Sequence, residues 1–401
     1  MSHRLKGIKP ADRTGNITYA VRDIILVARE AAAAGKEMLY LNIGDPNKFD
    51  FCTPGHMIDA VYQAMLDNQN GYSPSDGIQP ALQAIEREAG RKGIRNIRDI
   101  FITTGASEAI DLAFTALVDE GENVLIPYPT YPLYTAILYK LRVEPNPYYL
   151  DEENNWQPDI EDIRARINEK TRGIVLINPN NPTGSLYTEE ILRQLIDLAL
   201  EHDLVLFSDE IYDKLLFDGR KHISLASLSE EVPVLTFNGL SKSYLVPGFR
   251  IGWGIASGPE QAMKAYIEAI QKLYRARLCA NHPIQYAIQP ALEGPQDHLE
   301  EVIAKLTKRR DITVERLNAI DRISCVSPDG AFYAFPRLDI EEEDDTFIAN
   351  LIRETGVVVV HGSGFGQRPK TRHFRVVFLP PEEILEKAYT KIAEFMAKYS
   401  V

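Results

Sequence analysis

Residues 173–209 read GIVLINPNNPTGSLYTEEILRQLIDLALEHDLVLFSD. The two short apolar runs at 173–178 and 204–208 are typical of buried strands, and residues 188–202 between them have the pattern of an amphipathic helix. Similar short runs lie at 124–127, 234–237 and 251–256. Strands that alternate with helices predict an α/β protein with a mostly parallel sheet, covered by helices on both faces.

The last hundred residues have a different pattern. They combine a long charged helix at 297–320 and a second helix near 345–354 with strands at 330–336, 357–361 and 373–379. We assign them to a smaller α/β domain, with which the N-terminal segment is expected to pack. The predicted division is a large domain at 48–296 and a discontinuous small domain at 1–47 and 297–401, because 401 residues exceed the usual size of one core.

The composition disfavours several classes of function. A net charge of −13 argues against nucleic acid and anionic membranes as partners. The three cysteines, Cys52, Cys279 and Cys325, are far apart, which argues against a disulfide framework or a zinc cluster and fits a reducing cytoplasm. The first ten residues are polar and basic, and no apolar run approaches the ~20 residues of a membrane helix, so we expect a soluble cytoplasmic protein without a secretory signal.

Lys242 follows the predicted strand at 234–237, and Arg250 comes shortly after it. In open α/β sheets, ligands bind at the carboxyl ends of the strands, so a lysine at this position lies near the base of a cleft. One interpretation is a Schiff base with an aldehyde cofactor, and the other is a solvated loop lysine. Residues 239–252, which surround Lys242 and include Arg250, form a long recognisable segment, and this favours the Schiff base.

Asp209 follows the strand at 204–208, and Tyr212 lies on the segment that comes next. A carboxylate beside a pyridine nitrogen keeps that nitrogen protonated, and the protonated ring stabilises a substrate carbanion. Tyr212 is then placed to hydrogen-bond an oxygen on the ring. The alternative is that Asp209 caps a helix while Tyr212 packs in the core, and the presence of Lys242 favours the functional interpretation.

Two turns offer further polar groups. Residues 178–184, NPNNPTG, form a rigid turn that can hold an amide toward a ligand. Residues 105–108, GASE, precede a predicted helix at 109–117, and backbone N–H groups at such an end bind phosphate; the alternative is a helix that is only capped by Ser107. The sequence has no GxGxxG or GxxxxGK[ST] motif, which argues against dinucleotide and nucleoside triphosphate sites.

Arg375 lies inside the apolar strand at 373–379. An arginine in such a strand needs an anionic partner. Its planar fork suits a carboxylate bound through two hydrogen bonds, as a substrate would offer. A structural ion pair with an Asp or a Glu is the alternative.

The segment 239–252, GLSKSYLVPGFRIG, matches the lysine-attachment signature of the class I aminotransferases throughout. With Asn181, Asp209, Tyr212 and Arg375 in the same chain order, the sequence resembles the fold-type-I aminotransferases, which depend on pyridoxal phosphate, from the 41–46 segment LNIGDP to residues 373–375. The segments 178–184, 209–214, 238–242, 277–279 and 361–366 look most like alanine aminotransferases of bacteria and archaea.

The resemblance implies pyridoxal 5′-phosphate as the cofactor and a role for each residue around it. Lys242 forms an internal aldimine, a Schiff base, and then moves a proton between the substrate Cα and the cofactor carbon. Asp209 holds the pyridinium, while Tyr212 and Asn181 bind the ring oxygen, and Asn181 also reaches the substrate carboxylate. Some relatives bind the phosphate with a Ser or Thr where this chain has Gly239. Here the phosphate is expected to contact Ala106, Ser107, Ser241 and Arg250.

The resemblance also implies contacts with substrate and with a second subunit. Tyr131 would stack on the cofactor ring. Arg375 and the backbone of Gly44 would hold the α-carboxylate of the substrate. Tyr72 would reach the phosphate of a neighbouring subunit, so the active unit is expected to be a homodimer.

The implied activity is reversible amino transfer between L-alanine and 2-oxoglutarate, giving pyruvate and L-glutamate. Within the family, the alternative is an aspartate or aromatic aminotransferase, and a β-eliminating C–S lyase is a further one. Arg277 is a candidate donor for a second substrate carboxylate, with a structural ion pair as its alternative. A transcription regulator with an aminotransferase-like sensor would add an N-terminal DNA-binding domain, and residues 1–40 are too few for it.

Overall fold

The computed structural model describes residues 7–17 and 20–399. Residues 1–6, 18–19 and 400–401, which were assigned to the predicted small domain, lie outside the described residues. The helices are α1 (Ala20–Ala33), α2 (Gly55–Leu66), α3 (Gln79–Arg91), α4 (Ala106–Leu117), α5 (Leu133–Lys140), α6 (Ile160–Arg166), α7 (Glu189–Glu201), α8 (Glu260–Ala276), α9 (His282–Gln285), α10 (Ile288–Glu293), α11 (Asp297–Asn318), α12 (Asp344–Thr355) and α13 (Glu382–Lys398). Within the described residues, none of these helices is both long enough and apolar enough to cross a bilayer.

The strands are shorter and fall into several sheets. They are β1 (Leu39–Tyr40), β2 (Ile97–Thr103), β3 (Asn123–Tyr128), β4 (Glu144–Asp151), β5 (Gln157–Pro158), β6 (Thr171–Ile177), β7 (Val205–Asp209), β8 (Val234–Gly239), β9 (Gly252–Ser257), β10 (Ile323–Ser324), β11 (Tyr333–Ala334), β12 (Arg337–Leu338), β13 (Val357–Val358), β14 (Val360–His361) and β15 (Phe374–Val377). The largest sheet has eight strands in the order β2-β9-β8-β7-β6-β3-β4-β5. Its central strands, from β4 to β8, run parallel, and β9 is antiparallel to both of its neighbours. The predicted α/β fold with a mostly parallel sheet is confirmed.

The large sheet is covered on both faces. Successive side chains of a strand point to opposite faces, and β6 shows this directly. Val175 and Ile177 belong to one apolar cluster, together with side chains of α4 and α8. Ile174 and Leu176 belong to another, which includes side chains of α3 and α7. Burial on both faces explains why the strand sequences are continuously apolar rather than alternating.

The carboxyl ends of the central strands lie at one edge of the sheet. Asp209 is in register with Ile177 of β6 on one side and with Phe237 of β8 on the other. The segments that follow these three strands therefore begin side by side. They carry the turn at 178–184, the segment after Asp209, and the loop that bears Lys242.

The N-terminal segment pairs with the C-terminal region. Strand β1 runs parallel to β13, and the amide of Val377 donates to the carbonyl of Leu41 at 2.8 Å. The predicted strands at 330–336 and 373–379 are shorter than expected, and the one at 357–361 is split into β13 and β14. Beyond β15, for example, the amide of Phe378 bonds to Phe332, outside any strand ladder. The division of the chain into two domains stays a prediction.

Candidate active site

A cavity of about 470 Å³ opens at the carboxyl ends of the central strands. Of the residues that the sequence assigned to cofactor or substrate, all but Tyr72 and the candidate Arg277 line it: Gly44, Ala106, Ser107, Tyr131, Asn181, Asp209, Tyr212, Ser241, Lys242, Arg250 and Arg375. These residues come from positions 44 to 375, so the fold gathers groups that are distant in the sequence.

Asp209 is the last residue of β7 and is 5% exposed. A turn follows it rather than a helix, so the alternative that it caps a helix is wrong. The Ile211 amide donates to its Oδ1 at 3.3 Å, and the Tyr134 hydroxyl donates to its Oδ2 at 2.9 Å. Burial raises the pKa of Asp209 to about 6, against the opposing effect of the Tyr134 hydrogen bond. Tyr134 was not predicted from the sequence, where its short spacing from Tyr131 is the only signal that points to it.

Lys242 extends its Nζ atom into the cavity and donates to the Gly44 carbonyl oxygen at 3.0 Å. Beside it, the hydroxyls of Tyr212 and Tyr333 are 2.9 Å apart. Burial, followed by the neighbouring Tyr333, raises the pKa of Tyr212 well above its ordinary value. Tyr333 was not predicted from the sequence, and its hydroxyl would collide with a Cβ on Gly44. A larger residue at position 44 would therefore require the Tyr333 side chain to shift.

The three asparagines of the 178–184 turn make different contacts. Asn178 Oδ1 accepts from the Tyr187 amide at 2.9 Å, and Asn180 Oδ1 accepts from the Thr183 amide at 3.1 Å. Both side chains thereby stabilise the turn itself. Asn181 lines the cavity instead, and its Oδ1 accepts from Arg375 at 3.2 Å.

Arg375 is held in the cavity wall by groups from several parts of the chain. It is 3% exposed, and its Nη2 donates to the Asn42 carbonyl oxygen at 3.1 Å. Its guanidinium carbon lies 4.7 Å from the ring centroid of Tyr333 and 4.6 Å from that of Phe365. A planar guanidinium between two aromatic rings has a fixed orientation, which suits recognition of a planar carboxylate.

The N-terminus of α4 forms a second part of the wall. The helix begins at Ala106, earlier than predicted, and its N-cap is Gly105, which makes no side-chain capping bond. Ser107 lies inside the first turn, so the alternative that it caps the helix is wrong. A Cβ on Gly105 would collide with the guanidinium of Arg250, and a Cβ on Gly252 would collide with the Ala106 amide nitrogen. These two glycines let the cation and the start of the helix approach each other, as an anion-binding site requires.

Gly239 departs from the pattern of some relatives for a visible reason. A Cβ at this position would lie 2.7 Å from the Ile251 carbonyl oxygen and 2.9 Å from the Cα of Gly252. A serine or threonine would therefore disturb the contact between β8 and the following strand. Ser241, to which the sequence analysis assigned the phosphate contact, lines the cavity.

Tyr72 and Arg277 lie outside the cavity lining. Tyr72 is 83% exposed and borders an open groove with residues 279–283. The Nε of Arg277 lies 3.1 Å from Glu108 Oε1, and its Nη2 donates to the Ile102 carbonyl oxygen at 2.6 Å. Of the two interpretations of Arg277, the structural ion pair is the one present in this chain.

The model of the family "aminotransferase class I and II" matches residues 36–392. The chain belongs to this family. It is therefore a pyridoxal-phosphate-dependent aminotransferase, as its sequence predicted. Among its relatives is the glutamate–pyruvate aminotransferase AlaA of Haemophilus influenzae, which is 40% identical over 97% of this chain and 98% of the relative. An alanine aminotransferase of Mycobacterium bovis is 43% identical over 99% and 94%, respectively.

The aminotransferase fold is also found in solved structures. The alanine aminotransferase from Pyrococcus furiosus superposes with a TM-score of 0.94 and 42% sequence identity, covering 98% of this chain and all of that one. The agreement over nearly the full length extends the family assignment to the N-terminal segment and the C-terminal region, which together supply Gly44 and Arg375 to the cavity.

The cavity of this aminotransferase fits the cofactor of the family. A buried carboxylate whose pKa is raised by burial, as that of Asp209 is, favours a cationic partner such as a pyridinium nitrogen. Because Gly105 and Gly252 lack side chains, Arg250 can lie close to the N-terminus of α4. The guanidinium and the backbone N–H groups of a helix N-terminus both stabilise a phosphate. Lys242 lies in the same cavity, so the amine that the cofactor aldehyde needs is present.

Proposed function

We propose that this aminotransferase catalyses reversible amino transfer between L-alanine and 2-oxoglutarate, giving pyruvate and L-glutamate. The names of its relatives support this choice, because one transfers between glutamate and pyruvate and two act on alanine. Bound pyridoxal phosphate supplies an aldehyde that condenses with amines and a protonated ring that withdraws electrons from the substrate Cα. The residues of the chain supply binding, orientation and proton transfer.

Asp209, Tyr212 and Asn181 are proposed to hold the cofactor ring. The buried Asp209 carboxylate would pair with the ring nitrogen and keep it protonated. Tyr212 and Asn181 would bind the ring oxygen, and Tyr131 would stack on the ring. The phosphate is proposed to contact the first turn of α4 and nearby side chains, through Ala106, Ser107, Ser241 and Arg250.

Lys242 is proposed both to hold the cofactor covalently and to transfer the proton. Its Nζ lies 3.0 Å from the carbonyl oxygen of Gly44, a residue that is itself proposed to contact the substrate. With cofactor and substrate bound, the Nζ atom of Lys242 would take the proton from the substrate Cα and return it on the cofactor side. A single amine within reach of both carbons is sufficient as a general base and acid.

Arg375 is proposed to bind the α-carboxylate that both substrates share. Its contacts with Asn181 and Asn42 place it beside the proposed ring site, and a bidentate pair fixes the orientation of the substrate Cα. Gly44 is proposed to add a backbone contact. Because this group is common to alanine and glutamate, Arg375 does not discriminate between them.

One observation carries the choice of alanine. The cavity lining of the described chain contains two arginines, Arg250 and Arg375, and both already have proposed anions. Arg277, the candidate for a second substrate carboxylate, is paired with Glu108. A fixed extra arginine would be left unpaired by alanine at a cost of about 1–3 kcal/mol. Within the described residues, the part of the site that this chain lines contains no such arginine, so alanine leaves no cation unpaired there.

The active unit is proposed to be a homodimer. Helix α2 exposes a stripe of apolar side chains at helical spacing, Ile58, Tyr62, Met65 and Leu66, and Leu278 is also exposed. A contiguous apolar surface of this kind is typical of a protein interface. Tyr72 is exposed in the segment that follows α2 and is proposed to reach the phosphate bound by the partner. We place the enzyme in the cytoplasm, in keeping with its unpaired cysteines.

The test is the ratio of kcat/KM for L-alanine and L-aspartate with 2-oxoglutarate as the acceptor. We expect alanine to be preferred and pyruvate to be its product. An aspartate preference of about a hundredfold, worth roughly 2.7 kcal/mol in the transition state, would overturn the proposal in favour of an aspartate aminotransferase. A panel that includes aromatic donors tests the remaining alternative.

A further inference from the structure

Tyr134 contacts the carboxylate of Asp209 from outside the cavity. It lies in the first turn of α5, does not line the cavity, and is completely buried. Its ring packs against Phe114, with ring centroids 6.0 Å apart, within the apolar cluster on one face of the large sheet. Its hydroxyl donates to Asp209 Oδ2 at 2.9 Å. The apolar packing therefore fixes the Tyr134 hydroxyl as a hydrogen-bond donor to the Asp209 carboxylate from outside the cavity lining.

The direction of this hydrogen bond is determined by its surroundings. Burial, and then the adjacent Asp209, raises the pKa of Tyr134 well above its ordinary value, so the phenol keeps its proton and acts as a donor. A hydrogen bond donated to a carboxylate favours the ionised form, whereas burial favours the neutral acid. The bond from Tyr134 thus opposes the effect of burial on Asp209.

We propose that Tyr134 is a positioning residue that keeps Asp209 ionised and turned toward the ring nitrogen of the cofactor. The inference rests on the proposed place of Asp209 at that nitrogen. Without the donor, the buried carboxyl group is protonated more readily and rotates more freely. A neutral carboxyl group no longer favours the pyridinium, and the electron-withdrawing ring is then lost.

Tyr148 offers a matched control. It is as deeply buried as Tyr134, and its hydroxyl donates to the Val175 carbonyl oxygen at 2.7 Å. Tyr148→Phe and Tyr134→Phe each remove one hydroxyl and one buried hydrogen bond. Only Tyr134→Phe takes the bond from a carboxylate that faces the cavity.

The experiment compares two ligands on the cofactor-free full-length chain. One is pyridoxal phosphate, and the other is its analogue with a C–H group in place of the ring nitrogen. Both condense with Lys242 and both carry the phosphate, so the ratio of their dissociation constants isolates the contact at the ring nitrogen. A variant that merely weakens the fold changes both constants and leaves the ratio unchanged.

We expect the wild-type chain to prefer pyridoxal phosphate, Tyr134→Phe to lose about tenfold of that preference, and Tyr148→Phe to retain it, since a hydrogen bond to a charged group is worth this much. If Tyr134→Phe retained the wild-type ratio, the inference would be overturned while the place of Asp209 stood. If the wild-type chain showed no preference, the place of Asp209 would itself be wrong, and the inference would be overturned with it.

A second variant covers the case in which Tyr134→Phe yields too little folded protein. Incorporation of 3-fluorotyrosine at position 134 keeps the ring and the hydroxyl, and the more acidic phenol is a stronger donor. The preference for pyridoxal phosphate is then expected to rise above that of the wild-type chain. An unchanged or reduced preference would overturn the inference.

Discussion

At the scale of single residues, Asp209 shows how a functional charge destabilises the chain that carries it. Burial disfavours its ionised form and raises its pKa from 3.8 to about 6. The folded chain therefore holds this proton more tightly than the unfolded chain does. A pyridinium bound beside the carboxylate would reverse the effect, because an opposite charge favours the ionised form.

The first prediction at this scale concerns Asp209→Asn in the cofactor-free chain. Because the folded pKa is the higher one, the wild-type chain loses free energy of unfolding as pH rises from about 4 to about 6, by an amount on the order of 2–3 kcal/mol. The amide that replaces the carboxyl group does not titrate, so the variant gains stability relative to the wild type over the same range. Urea unfolding of both chains at several pH values measures the difference. A difference that does not change with pH would contradict the prediction.

The second prediction at this scale concerns Arg375→Lys. A lysine carries a point charge and cannot form the bidentate pair that arginine forms with a carboxylate. KM for both the amino acid and the oxo acid is therefore expected to rise by roughly tenfold or more, with a smaller change in kcat. Initial rates with each substrate varied in turn measure the effect.

Arg309→Lys is the control for Arg375→Lys. Arg309 is equally buried, but it bonds to Asp50 at 2.8 Å and to Glu382 at 3.0 Å, away from the cavity. This variant is expected to lower the free energy of unfolding and to leave KM unchanged. Equal increases in KM for the two variants would show that Arg375 acts only through the fold.

At the scale of elements, the site depends on the close approach of β9 to the first turn of α4. We predict that Gly252→Ala separates them, because its Cβ would collide with the Ala106 amide nitrogen. The affinity of the cofactor-free chain for inorganic phosphate and for pyridoxal phosphate should fall by about tenfold, since both the helix N-terminus and Arg250 lose their alignment. Calorimetric titration measures both ligands.

Gly254→Ala provides the comparison within the same strand. Its Cβ would collide with the ring of Phe101 rather than with backbone at the site. It should lower the melting temperature while the phosphate affinity persists. The prediction for Gly252 is contradicted if the two variants weaken phosphate binding to the same extent.

Element by element, the sequence predicted the central strands well because each is a continuous apolar run that is buried on both faces. The strands at 330–336 and 373–379 were overestimated, since some of their outer residues bond to loops; the amide of Ala331, for example, donates to the carbonyl oxygen of Leu215. Pairing of that kind depends on distant chain segments and leaves no local period in the sequence.

Among the site residues too, those in a local sequence pattern were predicted, and those that depend on a contact remote in sequence were missed. Lys242 and Arg250 lie in one recognisable segment and were predicted. Tyr134 and Tyr333 were missed, because each reaches the site through a partner that is remote in sequence, Asp209 and Tyr212 respectively. Turn chemistry could not single out Asn181 among three asparagines. Their contacts separate them, because Asn178 and Asn180 bond to nearby backbone amides whereas Asn181 bonds to Arg375.

At the scale of the whole molecule, the exposed Tyr72 leads to a complementation prediction. If Tyr72 serves the partner's site, a mixture of Tyr72→Phe and Lys242→Ala chains should recover activity after subunit exchange. In a hybrid dimer, one of the two sites has both native residues, so equal mixing should restore about a quarter of the wild-type activity. The test requires that each variant be strongly impaired by itself.

The control mixture pairs Tyr72→Phe with the double variant Tyr72→Phe, Lys242→Ala. No hybrid of these chains contains a site with both native residues, so the activity should not exceed that of the Tyr72→Phe variant alone. Recovery in this control, or a monodisperse active monomer, would rule out the shared site.

The position of Arg375 late in the chain has a consequence for biosynthesis. Apart from Tyr72, which is proposed to serve the partner's site, the residues proposed for the cofactor lie between positions 106 and 250, whereas Arg375 and β13, which pairs with β1, come near the C-terminus. During translation, the elements that carry these cofactor residues therefore leave the ribosome long before Arg375, the residue proposed to bind the substrate carboxylate. A product that is terminated before residue 375 has the attachment lysine and lacks the arginine, so it cannot hold the substrate carboxylate in the way proposed here.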